Sequence, residues 1–117
     1  SDSLYWLSHI INAESGNQSL DGKLAVGTVI MNRVDSPRFP NTIYEVVCAP
    51  NQFTPVQNGA IYREPNAESV IAANLILEGV RVGGNSLYFV NPSISPNSWA
   101  QRNRPYVTTI GAHAFFG

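Results

Sequence analysis

The chain has 117 residues, enough for one small domain with a modest core and little room for a second. Seven Lys and Arg against eight Asp and Glu leave a formal charge of -1, and only 13% of residues are charged, about half the usual share. This balance excludes the clustered basic surface that nucleic acid requires and the basic amphipathic helix that a membrane surface requires; no stretch is apolar enough to cross a bilayer.

The first element is expected to be a helix from Leu4 to Ser15, capped by Asp2 or Ser3 and ended by Gly16-Asn17. Leu4, Leu7, Ile10 and Ile11 recur at helical spacing on one face. A second helix is predicted from Leu20 to Val34 behind a Ser19 cap. Its apolar residues from Leu24 to Val34 cover most of the circumference, as in the buried centre of a fold, and Gly27 lets a neighbour approach closely. Pro37 and Pro40 enforce a turn, after which Thr42 caps a short helix ending at Cys48. Asn51 to Arg63 reads as loop, with Pro55 and Gly59 as punctuation. A third long helix follows from Asn66 to Glu78.

After Gly83-Gly84 the pattern changes. Ser86 to Val90 reads as a strand, and Asn91 to Pro105 as irregular. Val107–Ile110 and His113–Phe116, joined by Gly111-Ala112, read as a tight hairpin. Helices first and a small antiparallel sheet last make an α+β architecture, taken as a single domain over residues 1–117.

Of the eight carboxylates, Glu14 stands apart. It follows Ile11 by three residues, Leu7 by seven and Leu4 by ten, which places it on the apolar face of the first helix. No Lys or Arg lies at helical spacing from it. A half-buried carboxyl without a cation holds its proton towards neutral pH, as a general acid must. Spacing alone leaves two readings open: a catalytic acid, or a helix-end carboxylate without chemistry. Asp2 and Asp21 fall in helix first turns, Glu64 in a loop, and Glu45 and Glu68 on polar faces; Glu78 is the nearest competitor.

Other chemistries find less support. Cys48, the single cysteine, excludes an internal disulfide and reads as a small buried hydrophobe. His9 and His113 stand far apart, without a further ligand cluster, so no metal and no cofactor is expected. No nucleophile elbow or phosphate-binding glycine loop is present. The aromatics of the second half can stack on sugar rings, and Gln52, Asn91 and Asn103 can bond hydroxyls. Tyr88 should point opposite Phe89; Phe89, Phe115 and Phe116 are assigned to the core and Tyr88 to a cleft.

Several segments, in this order, resemble the SleB/CwlJ family of cell wall hydrolases. They are Ile10 to Glu14, Asp21 to Gly27, Val29 to Val34, Ser36 to Ile43, Asn51 to Val56, Leu87 to Pro92 and Thr108 to His113. Together they span nearly the whole chain, and their joint occurrence is more specific than any one alone. The resemblance is to the catalytic domain of spore cortex-lytic enzymes. It implies a lysozyme-like fold and lytic transglycosylase activity on peptidoglycan, with Glu14 matching the family's catalytic glutamate. It also implies a place outside the cytoplasm, in the spore envelope or cell wall, and action on glycan strands, including muramic δ-lactam cortex; the chain is expected to be a monomer. Gln52, Phe53, Tyr88, Asn91 and His113 lie in matched segments and are taken as substrate-binding candidates. One departure concerns Gln18, where family members often carry a second Glu; a Gln there positions substrate but transfers no proton. A muramidase hydrolysing the same bond, and a glycan-binding module without catalysis, remain the alternatives.

Overall fold

The computed structural model describes residues 1–117 and shows six α-helices and three short strands in an α+β arrangement. Helix α1 runs from Asp2 to Ser15 and starts earlier than its sequence suggests. Ser1, rather than Asp2 or Ser3, is the cap, its Oγ accepting from the Leu4 amide at 3.2 Å. Helix α2, Leu20–Val34, begins at the expected Ser19, whose Oγ accepts from the Gly22 amide. Helix α3, Ile43–Cys48, is capped by Thr42 in the same way.

Two stretches expected to lack structure hold helices. Within 51–63, Thr54–Asn58 forms α4 and Ala60–Tyr62 a single 3₁₀ turn. Pro55 starts α4, where a missing amide costs nothing, and Gly59 ends it in the left-handed region at φ 83°. The two residues expected to punctuate a loop thus bound a helix. Helix α5 follows, Ala67–Leu77, capped by Asn66. Within 91–105, Trp99–Asn103 forms α6, opened by a reciprocal cap between Ser98 and Gln101.

Strands β1 (Tyr88–Val90), β2 (Tyr106–Ile110) and β3 (His113–Phe116) form one antiparallel sheet in the order β1-β3-β2. The β2–β3 turn is Gly111-Ala112, with Gly111 at φ 57°. A bulge between Tyr106 and Thr108 shifts the register. Central β3 is buried on both faces. Phe115 joins the main core, while Ala114 and Phe116 pack with Ala100 of α6.

The main core centres on α2, where Ala25, Val26, Val29 and Ile30 are fully buried among α1, α3 and α5. Gly27 permits the closest approach. A Cβ there would sit 2.8 Å from Ile76 Cγ1 and 3.1 Å from Ile11 Cδ1. Gly27→Ala therefore overpacks the centre, at a cost of about 1–3 kcal/mol that outweighs the helix-propensity gain of about 1 kcal/mol. Thermal unfolding checks this, and a variant melting at or above wild type would contradict it. At its start, α2 is tied to α5 through Lys23. That side chain is buried, and its ammonium donates to the Gln18 carbonyl and to Glu68 Oε1 at 2.9 Å.

Candidate active site

The end of α1, the segment entering α4, the end of β1 and the β2–β3 turn enclose a cleft of about 700 Å³. Glu14, on the last turn of α1, opens into it. Glu14 is the only Asp or Glu among the lining residues. Its carboxyl receives no hydrogen bond and forms no ion pair, although Arg33 lines the same cleft; the one ion pair in the protein is Lys23–Glu68. Desolvation is thus unopposed and pushes its pKa from 4.5 up to about 7. At neutral pH the group divides between acid and base forms, which suits a residue that must both give and take a proton. The competing carboxylates lie elsewhere. Glu68 is paired with Lys23, Glu45 accepts from Thr42 Oγ1 at 2.8 Å, and Glu78 is exposed at the end of α5.

Four of the five other candidates line the same cleft: Gln52, Phe53, Asn91 and His113. Phe53 stacks near Phe89 at 6.2 Å between ring centroids, and Phe89 meets His113 edge-on at 5.4 Å. These three rings form an apolar wall. Asn91 Oδ1 accepts from the Ser93 amide, which fixes the turn and leaves the amide NH₂ free. His113 is buried, and burial lowers its pKa, so it is neutral at neutral pH; its Nδ1 has no partner in the protein.

Tyr88 departs from its expected place in the cleft. It does not line the cleft; its neighbour Phe89 does. The alternation along β1 was expected, but its sense is reversed. Tyr88 turns towards Phe39, Trp99 and Arg38, whose Nη2 donates to the Tyr88 hydroxyl at 3.3 Å. Phe89 is half-buried, packing against the main core as expected while also lining the cleft, and Phe115 and Phe116 are buried as expected.

Two lining residues bind the walls together. Gln18 Oε1 accepts from the Ala112 amide at 3.0 Å and so fastens the hairpin turn to the loop after Glu14. Arg33 was not anticipated as a site residue. It stands four residues after Val29 and three after Ile30, so a cation on the buried face of α2 was legible in the sequence. Only 5% exposed, it donates from Nε to the Leu87 carbonyl at 2.8 Å and from Nη1 to Gln52 Oε1 at 3.2 Å. Its guanidinium lies over Phe39 and Phe53, and burial lowers its pKa to about 10, so it stays charged. His9, by contrast, is structural: Nδ1 bonds the Ile61 carbonyl at 2.6 Å and the ring stacks on Tyr5. Cys48 is half-buried at the core edge, its thiol pKa raised by burial. No group of His, Cys, Asp and Glu is arranged to hold a metal ion.

The family profile described as Cell Wall Hydrolase matches residues 17–116. Glu14 falls just before that span. The spore cortex-lytic enzyme of Bacillus cereus is 37% identical over 109 residues, which cover 93% of this chain and 42% of that protein. The spore cortex-lytic enzyme of Bacillus subtilis is 33% identical over 109 residues, covering 93% of this chain and 35% of that protein. The chain thus spans less than half the length of these relatives. Among solved structures, the catalytic domain of the germination-specific lytic transglycosylase SleB from Bacillus anthracis superposes with a TM-score of 0.91 at 34% identity, covering 100% of this chain and 95% of that one. The catalytic domain of the Bacillus cereus SleB protein gives 0.89 at 34% identity, covering 99% and 90%. The fold is therefore that of the SleB catalytic domain, lysozyme-like as expected.

Proposed function

Because the chain belongs to the Cell Wall Hydrolase family, we propose that it is a peptidoglycan lytic transglycosylase that works through Glu14 alone. The observation that carries this reading is the carboxylate inventory of the cleft. Glycosidases that hydrolyse by the common routes use two carboxyl groups, one as acid and one as base or nucleophile. Here one carboxyl lines the cleft, and it is the one poised to hold or release a proton near neutrality.

In the proposed reaction, protonated Glu14 donates to the oxygen linking N-acetylmuramic acid to N-acetylglucosamine. As that bond breaks, positive charge develops at the muramic anomeric carbon. Glu14, now a carboxylate, takes the proton of the muramic 6-hydroxyl, whose oxygen closes on the anomeric carbon. The product ends in a 1,6-anhydro ring, and the acid form of Glu14 is restored without water entering the bond. The wall of Phe53, Phe89 and His113 supplies the low-polarity surroundings that keep Glu14 protonated and offers ring faces for sugars. The sparsely charged surface suits an extended, largely uncharged polymer.

The names of the relatives point to spore cortex, and so to a place of action outside the cytoplasm; no helix is long and apolar enough to cross a membrane. Residues 1–117 act in this reading as one catalytic domain and as a monomer. Incubation with purified cortex and with vegetative sacculi tests it. Soluble muropeptides should accumulate with time, from cortex if its δ-lactam is preferred. Saturable binding without new chain ends would contradict it in favour of a glycan-binding module.

A further inference from the structure

We infer that the buried Arg33 is a positioning residue that locks the Gln52 amide with its NH₂ group facing the cleft, where it reads the 2-N-acyl carbonyl of a substrate sugar. The inference rests on the glycan-cleaving role proposed for Glu14.

A glutamine amide can be turned either way, presenting an acceptor or a donor. Arg33 removes that freedom. A guanidinium has only donors, so the atom of Gln52 that faces it at 3.2 Å must be the oxygen. The nitrogen then points away, and it makes no hydrogen bond within the protein, although Gln52 lines the cleft beside Glu14. Arg33 itself is held against rotation. Nε is fixed to the Leu87 carbonyl, and the guanidinium carbon lies 4.8 Å from the Phe39 ring centre and 5.2 Å from those of Phe53 and Tyr88. It has no carboxylate partner, so it faces Gln52 as an uncompensated cation. The backbone contributes as well. Asn51, directly before Gln52, is the one non-glycine residue at positive φ, 61°, and its Oδ1 accepts from Gln57 Nε2 at 3.2 Å. A sharp turn stabilised in this way directs Gln52 into the cleft.

A fixed donor with no acceptor in the protein fits a ligand group that only accepts. A peptidoglycan strand offers several such groups, among them ether oxygens and the muramic lactyl carbonyl; the acyl carbonyl on the 2-amino position, present as an acetamide or as a lactam, is the strong acceptor carried by every ring. A hydroxyl fits less well, because its own proton would need a further acceptor. The contact would set the position of the ring relative to Glu14 rather than touch the bond being broken.

The test measures binding of a soluble tetrasaccharide of alternating N-acetylglucosamine and N-acetylmuramic acid by calorimetry, in a Glu14→Gln background that prevents turnover. Melting temperatures are recorded for every variant. Gln52→Ala should weaken binding about tenfold, the size of one lost hydrogen bond. Gln52→Glu, which keeps the Arg33 contact but offers only acceptors, should weaken it more than Gln52→Ala does. Arg33→Lys should weaken binding in the parent, yet add nothing in the Gln52→Ala background, because its effect runs through that amide. A de-N-acetylated tetrasaccharide should lose affinity for the Gln52 protein and not for Gln52→Ala.

Gln52→Glu binding as tightly as Gln52 would overturn the inference, as would additive losses in the Arg33→Lys, Gln52→Ala pair. If Arg33→Lys fails to fold, Gln52→Glu and the de-N-acetylated ligand still decide. Should the protein with Glu14 intact cleave peptidoglycan while Gln52→Glu binds normally, this inference alone fails. Absence of cleavage by the intact protein would remove the parent reading as well.

Discussion

Glu14→Gln is expected to reduce cleavage of peptidoglycan by roughly 10²–10⁴ while leaving the fold intact, the range associated with losing one acid–base group. The substitution keeps the size and shape of the side chain and removes only its proton transfer. The fold should tolerate it because the Glu14 carboxyl takes part in no hydrogen bond and no ion pair. No other carboxylate lines the cleft to take over. A loss beyond that range would show that Glu14 also stabilises the cationic sugar electrostatically. Rates from soluble muropeptide release, with circular dichroism as the folding control, decide the matter. A folded Glu14→Gln protein cleaving at near wild-type rate would sink the assignment.

The same substitution should make the protein more stable at alkaline pH. Burial raises the folded-state pKa of Glu14 from 4.5 to about 7. Between those values the folded chain holds a proton that the unfolded chain has lost, so stability falls as pH rises across that window. Below about 4.5 both states are protonated and the penalty is absent; above about 7 it is fully developed and level. A shift of this size corresponds to about 3 kcal/mol. Glu14 is only half-buried by surface exposure, so solvent screening reduces the expected figure to roughly 1–3 kcal/mol. Gln has no such dependence. Denaturant unfolding at pH 8 should therefore show Glu14→Gln more stable than wild type, with the gap closing towards pH 4. An equal gap at both pH values would show that the carboxyl is not held by desolvation. In the wild type the same titration should appear as an alkaline limb in kcat/KM. Activity should fall about tenfold per pH unit above pH 7, as the acid form is lost.

The residues that made the fold legible are those whose local chemistry admits one reading. Ser19 and Thr42 cap where a polar side chain precedes an apolar helical run, and α2 is buried because nearly every face of it is apolar. Gly27 was readable because a glycine inside such a helix has few reasons other than close packing. Pro55 and Gly59 were harder, since proline starts helices as well as breaking them, and a left-handed glycine ends a helix as readily as it turns a loop. The short α4 is bounded by Pro55 and the left-handed Gly59 and α6 is opened by the Ser98–Gln101 cap, and no periodicity over five residues can display either helix.

In the site, Glu14 was visible because a carboxylate among Leu4, Leu7 and Ile11 conflicts with its surroundings. Arg33 presents the same conflict on α2, a single charge on a buried face, but it lies inside one of the family-like segments, where its place in the sequence does not set it apart. Tyr88 and Phe89 could not be told apart by alternation. A strand fixes that neighbours diverge, not which of them faces the cleft, and here the choice is made by Arg38, Phe39 and Trp99 gathering on the Tyr88 side.

The central claim is that one carboxyl cleaves the strand without water. Mass spectrometry of muropeptides made in oxygen-labelled water, with wild type beside Glu14→Gln, tests it most directly. The account predicts unlabelled 1,6-anhydro ends, one water lighter than hydrolysis products, from wild type and almost none from Glu14→Gln. Labelled, reducing muramic ends from wild type would contradict it and make the protein a hydrolase of the same bond.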